Sequence, residues 1–321
     1  MSGSALAALN PGFERFLYVV LALVVVGIGL AIAGAIAKPK VARRCRNINR
    51  YLLLTGIAII ILFPLYMTIV NSLLRPDQIV ERPPHLFPTN PVWSGYSEAW
   101  DEGDVSQYLL NSAIVTTLIV AGQLVTSICA AYAFAFLEFP LKKLIFVLFL
   151  ATMMVPFEVV FITNLQTVNS LGNLEAIGGV IDRNTYGALA IPFLATGFGA
   201  FLIRQAFLSL PGDLKDAAAL DGYGHMRFMT RVAVPLARPA IASLALFSFF
   251  AAWNQYLWPL VAADEDHWTV QVGLRQLKGA ALDQYNQTFA GAVIAALPLF
   301  VLLLVFQKQL VRGLTAGAVK G

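Results

Sequence analysis

Charge is scarce in this chain. Charged residues make up 12% of the 321 residues, about half the quarter typical of a soluble domain. Two cysteines, Cys45 and Cys129, are too few and too badly placed for a disulfide framework, one in a basic segment and one in an apolar run. His85, His225 and His267 are scattered, without the close His/Cys/Glu spacing of a metal site. No GxxxxGK[ST] loop occurs, so the chain lacks that means of holding and hydrolysing ATP. No nucleophile, metal or acid–base constellation of a membrane enzyme stands out.

Apolar residues are abundant, at 58%. A hydrocarbon core of ~30 Å takes about 20 mostly apolar residues per helix. Seven such runs are present: 16–37, 51–73, 108–136, 144–164, 186–208, 240–262 and 288–311. A large soluble helical core cannot absorb seven spans of this length. The composition therefore predicts an all-α polytopic membrane protein with about seven transmembrane helices. The first run lacks the positive leader of a cleaved signal, since Glu14 and Arg15 cancel and the basic cluster follows it, so it reads as a retained span.

The basic residues set the orientation. Lys38, Lys40, Arg43, Arg44, Arg46 and Arg50 crowd the first connection, and Lys142 and Lys143 mark another. Arg204, Lys215, Arg227, Arg231 and Arg238 flank or occupy a third, and Lys308, Arg312 and Lys320 lie near the C-terminus. These sixteen of the 22 basic residues share one face, which is cytoplasmic by the positive-inside bias. Acids such as Asp77, Glu81, Glu98, Asp101, Asp264, Glu265 and Asp266 collect on the other face. The N-terminus is expected outside and the C-terminus inside. The net charge of +4 thus has a topological origin and calls for no nucleic acid.

Three connections exceed plain turns. The outer segment 74–107 carries Pro76, Pro83, Pro84, Pro88 and Pro91 with Trp93 and Trp100, and reads as an extended cap at the interface. A second outer segment, 263–287, opens on an acidic triplet. The cytoplasmic segment 209–238 is the most informative. Ser209 and Pro211 signal a helix start, Asp213 and Asp216 place negative charge in its first turn, and Gly222 and Gly224 suit its end. A helix of ~10 residues, about 15 Å long, is predicted there.

Within that loop, Asp216-Ala217-Ala218, Gly222, Val232, Val234 and Pro235 follow the spacing E-A-A-x3-G-x9-I-x-L-P. The loop resembles the EAA loop of ABC importer permeases. Val232 and Val234 are conservative departures, and Asp216 for Glu shortens the acidic arm by one methylene. Leu86-Phe87-Pro88, Tyr96, Asn111-Ser112, Trp253-Asn254-Gln255-Tyr256 and the ending Gly313 to Gly321 look like the maltose-type carbohydrate permeases. The similarity is to their six-helix subunit and covers about residues 52–321. Residues 1–50, an extra helix and a basic linker, lie outside it, and 51–321 would form the permease domain, with 312–321 its cytoplasmic tail.

The resemblance implies a type I importer fold and a division of labour. A second permease would complete the pathway, an ATPase dimer would use ATP and Mg beneath it, and an extracytoplasmic binding protein would deliver a sugar or oligosaccharide. Asp216, Ala217, Ala218, Gly222 and Pro235 would then mark the ATPase-docking loop, and the chain itself would bind no cofactor. A phosphate-bearing polyol is the alternative solute, although it would call for basic residues in the pathway. An ion-coupled secondary transporter is the rival class, but Glu158 is the one acid placed inside a run, and no inverted repeat is visible.

Polar residues inside spans are expensive and mark function by default. Glu158 and Asn254 each lie 14 residues past the inner start of their runs, so a straight helix would put both ~21 Å up. Pro64, Pro156 and Pro192 fall at comparable counts, and kinks can free carbonyls toward a cavity. Glu158, Asn254, Trp253 and Tyr256 are therefore the candidate solute-pathway residues, the two aromatics as platforms for sugar rings.

Overall fold

The computed structural model describes residues 39–174, 178–277 and 284–316 and a few isolated positions between 18 and 36, with side chains described as far as 307. Most of the first apolar run and the last five residues of the tail lie outside the described residues. Ten helices organise the rest: α1 (Pro39–Leu73), α2 (Val105–Phe136), α3 (Lys142–Ala151), α4 (Phe157–Gly172), α5 (Gly197–Leu208), α6 (Asp213–Leu220), α7 (Arg238–Trp253), α8 (Leu257–Ala262), α9 (Val270–Leu277) and α10 (Tyr285–Ala316). Short helical turns join them, and no strand occurs among the described residues.

Three helices, α1, α2 and α10, are long and apolar enough to cross a membrane unbroken. Three further spans are bent pairs, so the described residues provide up to six crossings. Lys142–Met154 meets Phe157–Gly172 at 98°, Tyr186–Phe193 meets Gly197–Leu208 at 50°, and His225–Leu236 meets Arg238–Trp253 at 79°. Each break has a proline at or beside it. Pro156 stands in an extended conformation (ψ 141°) just before α4. Pro192 lies in the 3-10 turn Ile191–Phe193. Pro235 follows a π-helical stretch, Met229–Ala233, and Pro239 opens α7. Proline cannot donate to the preceding turn; Val155 before Pro156 is extended, whereas Ile191 and Val234 before Pro192 and Pro235 stay helical.

The expected basic connection is not a loop. Helix α1 begins at Pro39, where a missing N–H costs nothing, and runs 35 residues through the basic cluster and the apolar run alike. No glycine or further proline interrupts it before Gly56, and Pro64 is absorbed without a break. At about 52 Å it exceeds the bilayer core, so its basic turns project beyond it. A boundary at residue 50 falls inside this helix.

The helices group into two compact units, one of residues up to Val105 with Leu274–Ile294, the other of Ser106–Gly273 with residues from Ala295 on. In the first unit the outer cap contains two short helices, Pro76–Val80 and Ser94–Asp101. Leu74 and Leu86 are buried, Val92 N–H donates to Leu73 O at 2.9 Å, and Gln287 Nε2 donates to Glu98 O at 3.0 Å. Trp93 and Trp100 remain exposed, as interfacial anchors are.

The second unit has two apolar clusters. One gathers Ile119, Val168, Leu189 and Trp258 with Phe157, Phe161 and Phe193. The other gathers Tyr132, Ile203, Phe207, Phe228 and Leu244 around Ala218 of α6. Cys45 and Cys129 are both free.

Candidate coupling loop and solute pathway

Helix α5 ends at Ser209, whose Oγ donates back to Ala206 O at 2.7 Å. Ser209 thus closes α5 instead of opening α6. Helix α6 starts after Gly212 with no side-chain cap, and Asp213 and Asp216 set negative charge against its N-terminal dipole. It has eight residues, about 12 Å, slightly shorter than expected. Its end is a Schellman turn: Tyr223 N–H donates to Ala218 O at 2.8 Å and Gly222 N–H to Ala219 O at 3.1 Å. Gly222 has φ +75°, a conformation a side chain would strain. The glycine six places after Asp216 is therefore what folds the chain back after α6.

The two alanines of the loop differ in burial. Ala218 is 7% exposed and packs with Tyr132, Phe207 and Phe228 of its own chain. Asp216 and Ala217 are exposed, and Leu220 is 90% exposed. Adjacent helix positions point about 100° apart, so Ala218 can pack inward while Ala217 stays exposed. Pro235 is half-buried beside the 79° bend.

Among the pathway candidates, Trp253 is enclosed by its own chain. It is 3% exposed, stacks on Phe249 (5.4 Å, 10°), and its Nε1 donates to Ala295 O at 3.2 Å. A ring so enclosed offers no face to a sugar. Tyr256 is half-buried just before α8. Glu158 is exposed in the first turn of α4, but the 98° turn before it invalidates the straight-helix depth.

Asn254 lies at the break between α7 and α8. It is exposed at the end of α7, its Nδ2 donates to Phe250 O at 2.8 Å, and its Oδ1 accepts from Gln271 Nε2 at 3.5 Å. The adjacent Gln255 has a buried Oε1 with no hydrogen-bond partner among the described residues. The break between α7 and α8 thus carries a patch of amides. Gln271 had no motif to announce it, since it enters from the outer segment, beyond α8 in the chain.

Sequence reasoning also missed the side chains that hold broken backbone in place. Gln123 Nε2 donates to Phe193 O at 2.8 Å and Thr126 Oγ1 to Leu194 O at 2.7 Å, satisfying carbonyls freed at the 50° bend. Asn111, fully buried, donates from Nδ2 to Asp266 O and Trp268 O, both 3.0 Å, and accepts from Tyr186 Oη at 2.8 Å. A run of polar residues at mixed spacing on an apolar helix was the available signal.

Comparison with known proteins gives a consistent result. Residues 110–316 match the family described as binding-protein-dependent transport system inner membrane component. The chain is 34% identical over 281 residues to the sn-glycerol-3-phosphate transport system permease protein UgpE of Yersinia pestis bv. Antiqua (strain Antiqua), covering 85% of this chain and 97% of that one. It is 32% identical over 277 residues to the protein of the same name in Brucella abortus (strain 2308), covering 83% and 95%. A chain of a bacterial ABC transporter involved in the import of the acidic polysaccharide alginate superposes with a TM-score of 0.73 at 22% identity, over 83% of this chain and 97% of that chain. That match shows the type I permease fold. With the greater part of its length inside the family pattern, this chain belongs to the binding-protein-dependent inner-membrane components and is the membrane-embedded permease subunit of an importer.

Proposed function

We propose that this permease is driven by a separate ATPase that docks on the exposed face of α6, and that it passes a polyhydroxylated solute of the carbohydrate class. The exposed amide patch at the break between α7 and α8 is the observation that carries the solute reading. An asparagine exposed within a membrane span gains nothing from lipid, and a buried unpaired amide oxygen such as Gln255 Oε1 costs about 1–3 kcal/mol until a donor reaches it. Sugar hydroxyls supply both donors and acceptors to such amides. Helices α4 and α8 contain no Lys or Arg, α7 has only Arg238, at its first residue, and α9, which supplies Gln271, carries Arg275 four residues on. The α7–α8 side of the patch thus suits neutral hydroxyls.

Asp216 and Ala217 face outward on α6, with Leu220 beyond them, and form a small acidic and apolar surface suited to a partner with a basic rim. ATP and Mg belong to that partner. A second permease would complete the pathway, and a binding protein would deliver the solute from outside. The relatives named for sn-glycerol-3-phosphate transport favour a second reading, a polyol phosphate, whose charge a partner permease would have to match. The deciding experiment is purification through a tag on this chain. A P-loop ATPase and a second permease should co-purify, and neutral oligosaccharides with binding protein should stimulate ATP hydrolysis more than glycerol phosphate does. Recovery of the chain alone, with ion-gradient-driven uptake, would overturn the reading.

A further inference from the structure

Helix α2 is held at both ends by unusual clamps. At its inner end, terminal carbonyls have no helical partner, as in any helix. Three cations from three other segments take them. Arg204 Nε of α5 donates to Phe134 O at 3.1 Å, Lys215 Nζ of α6 to Phe136 O at 3.2 Å, and Lys142 Nζ of α3 to Leu137 O at 2.6 Å. Positive charge at a helix C-terminus also meets its negative dipole end. The neighbouring Tyr132 Oη pairs with His225 Nδ1, just past α6, at 3.1 Å. Helix α6 is therefore bonded to α2, with Ala218 seated in the same aromatic cluster.

At its outer end α2 grips the segment 264–270. Asn111 donates to the backbone of Asp266 and Trp268, and Ser112 Oγ accepts from Val270 N–H at 2.8 Å. From Asn111 to Phe136 the helix rises about 38 Å. Helix α2 contains no proline, and its one glycine, Gly122, is pressed against Leu194, where an added Cβ would lie 2.4 Å from Cδ2. Sharp kinks arise at prolines, at bulges or where side chains invade the ladder. Helix α2 instead runs as one unbroken element between its two clamps.

We infer that α2 is the rigid rod that carries displacement of the coupling helix α6 to the outer segment 264–270, with Lys215 and Asn111 as its inner and outer positioning residues. This rests on α6 being the ATPase-docking helix. The clamps convert a push on α6 into axial or tilting motion of one continuous helix, and that motion must reach the backbone bonded to Asn111.

The test uses the importer complex purified through a tag on this chain and reconstituted in liposomes, in a Cys45→Ser, Cys129→Ala background. A reporter Glu265→Cys, at an exposed outer position, is labelled by a membrane-impermeant maleimide with and without MgATP. The parent should show a several-fold change of labelling rate with MgATP. Lys215→Met should keep its ATPase subunit and hydrolyse ATP, yet lose that change and transport less solute per ATP. Lys215→Arg, which retains the donor and charge, should restore both. Full MgATP response in Lys215→Met overturns the rod. If Lys215→Met fails to assemble, Asn111→Ala decides: retained ATPase with the response lost supports the rod, and an intact response overturns it. A parent that retains its ATPase and hydrolyses ATP without a labelling change overturns the rod alone, whereas a parent that holds no ATPase removes the ATP-driven reading on which the rod rests.

Discussion

Substituting Ala217 and Ala218 separately separates the inward face of α6 from its outward face. Ala218 is packed among Tyr132, Phe207 and Phe228, so Ala218→Leu forces three extra carbons into a filled site. Overpacking of this kind costs about 1–3 kcal/mol. Ala218→Gly removes a buried methyl, about 0.8 kcal/mol, and weakens the helix by about 1 kcal/mol, so both directions destabilise. Ala217 is exposed, and Ala217→Leu should change stability by no more than about 0.5 kcal/mol. The assay is thermal unfolding of the purified complex, followed by tryptophan fluorescence, with retained ATPase measured alongside. In soluble domains of 150–250 residues about 1 kcal/mol moves Tm by about 2–4 °C, so Ala218→Leu should melt several degrees lower than parent. Ala217→Leu should melt with the parent but hold its ATPase less well. If Ala218→Leu melts like the parent while shedding the ATPase, Ala218 faces the partner and the packing argument is wrong.

Asp216→Lys reverses an exposed charge outside the bilayer, so the protein should insert and melt normally but retain less ATPase and lose solute-stimulated hydrolysis; unchanged retention would remove Asp216 from the docking face. In intact cells lacking the two native cysteines, an impermeant thiol reagent should label Asp266→Cys but not Ser209→Cys, and the reverse pattern would invert the topology. A chain beginning near Arg43 starts within α1 and should still assemble and transport with lower yield, whereas normal assembly without transport would give the deleted N-terminal segment a mechanistic part.

Composition and periodicity made the class, most of the spans and the short helix of the 209–238 segment readable from sequence. A sufficiently long apolar run has few alternatives to a membrane helix, because lipid cannot satisfy an unpaired backbone. The spacing from Asp216 to Gly222 was equally local, since one helix and one left-handed residue define it. Proline positions marked where backbone would be freed, though not that three spans would turn by 50° to 98°. A bend depends on whether neighbours can hold the released carbonyls. Pro64 has no break around it, while the bend after Pro192 is held by Gln123 and Thr126.

The tertiary structure alone decided which way side chains point and what the cations do. Ala217 and Ala218 are chemically identical, and only packing against Phe207 and Phe228 makes one internal. Trp253 and Tyr256 were equal candidates until burial enclosed the first. Lys142, Arg204 and Lys215 read as topological charge along the sequence, yet all three close on the end of α2. The physical reason is range. Hydropathy and turn chemistry act between close neighbours in the chain, whereas a clamp joining positions 79 apart, as Lys215 joins Phe136, exists only once the chain has packed.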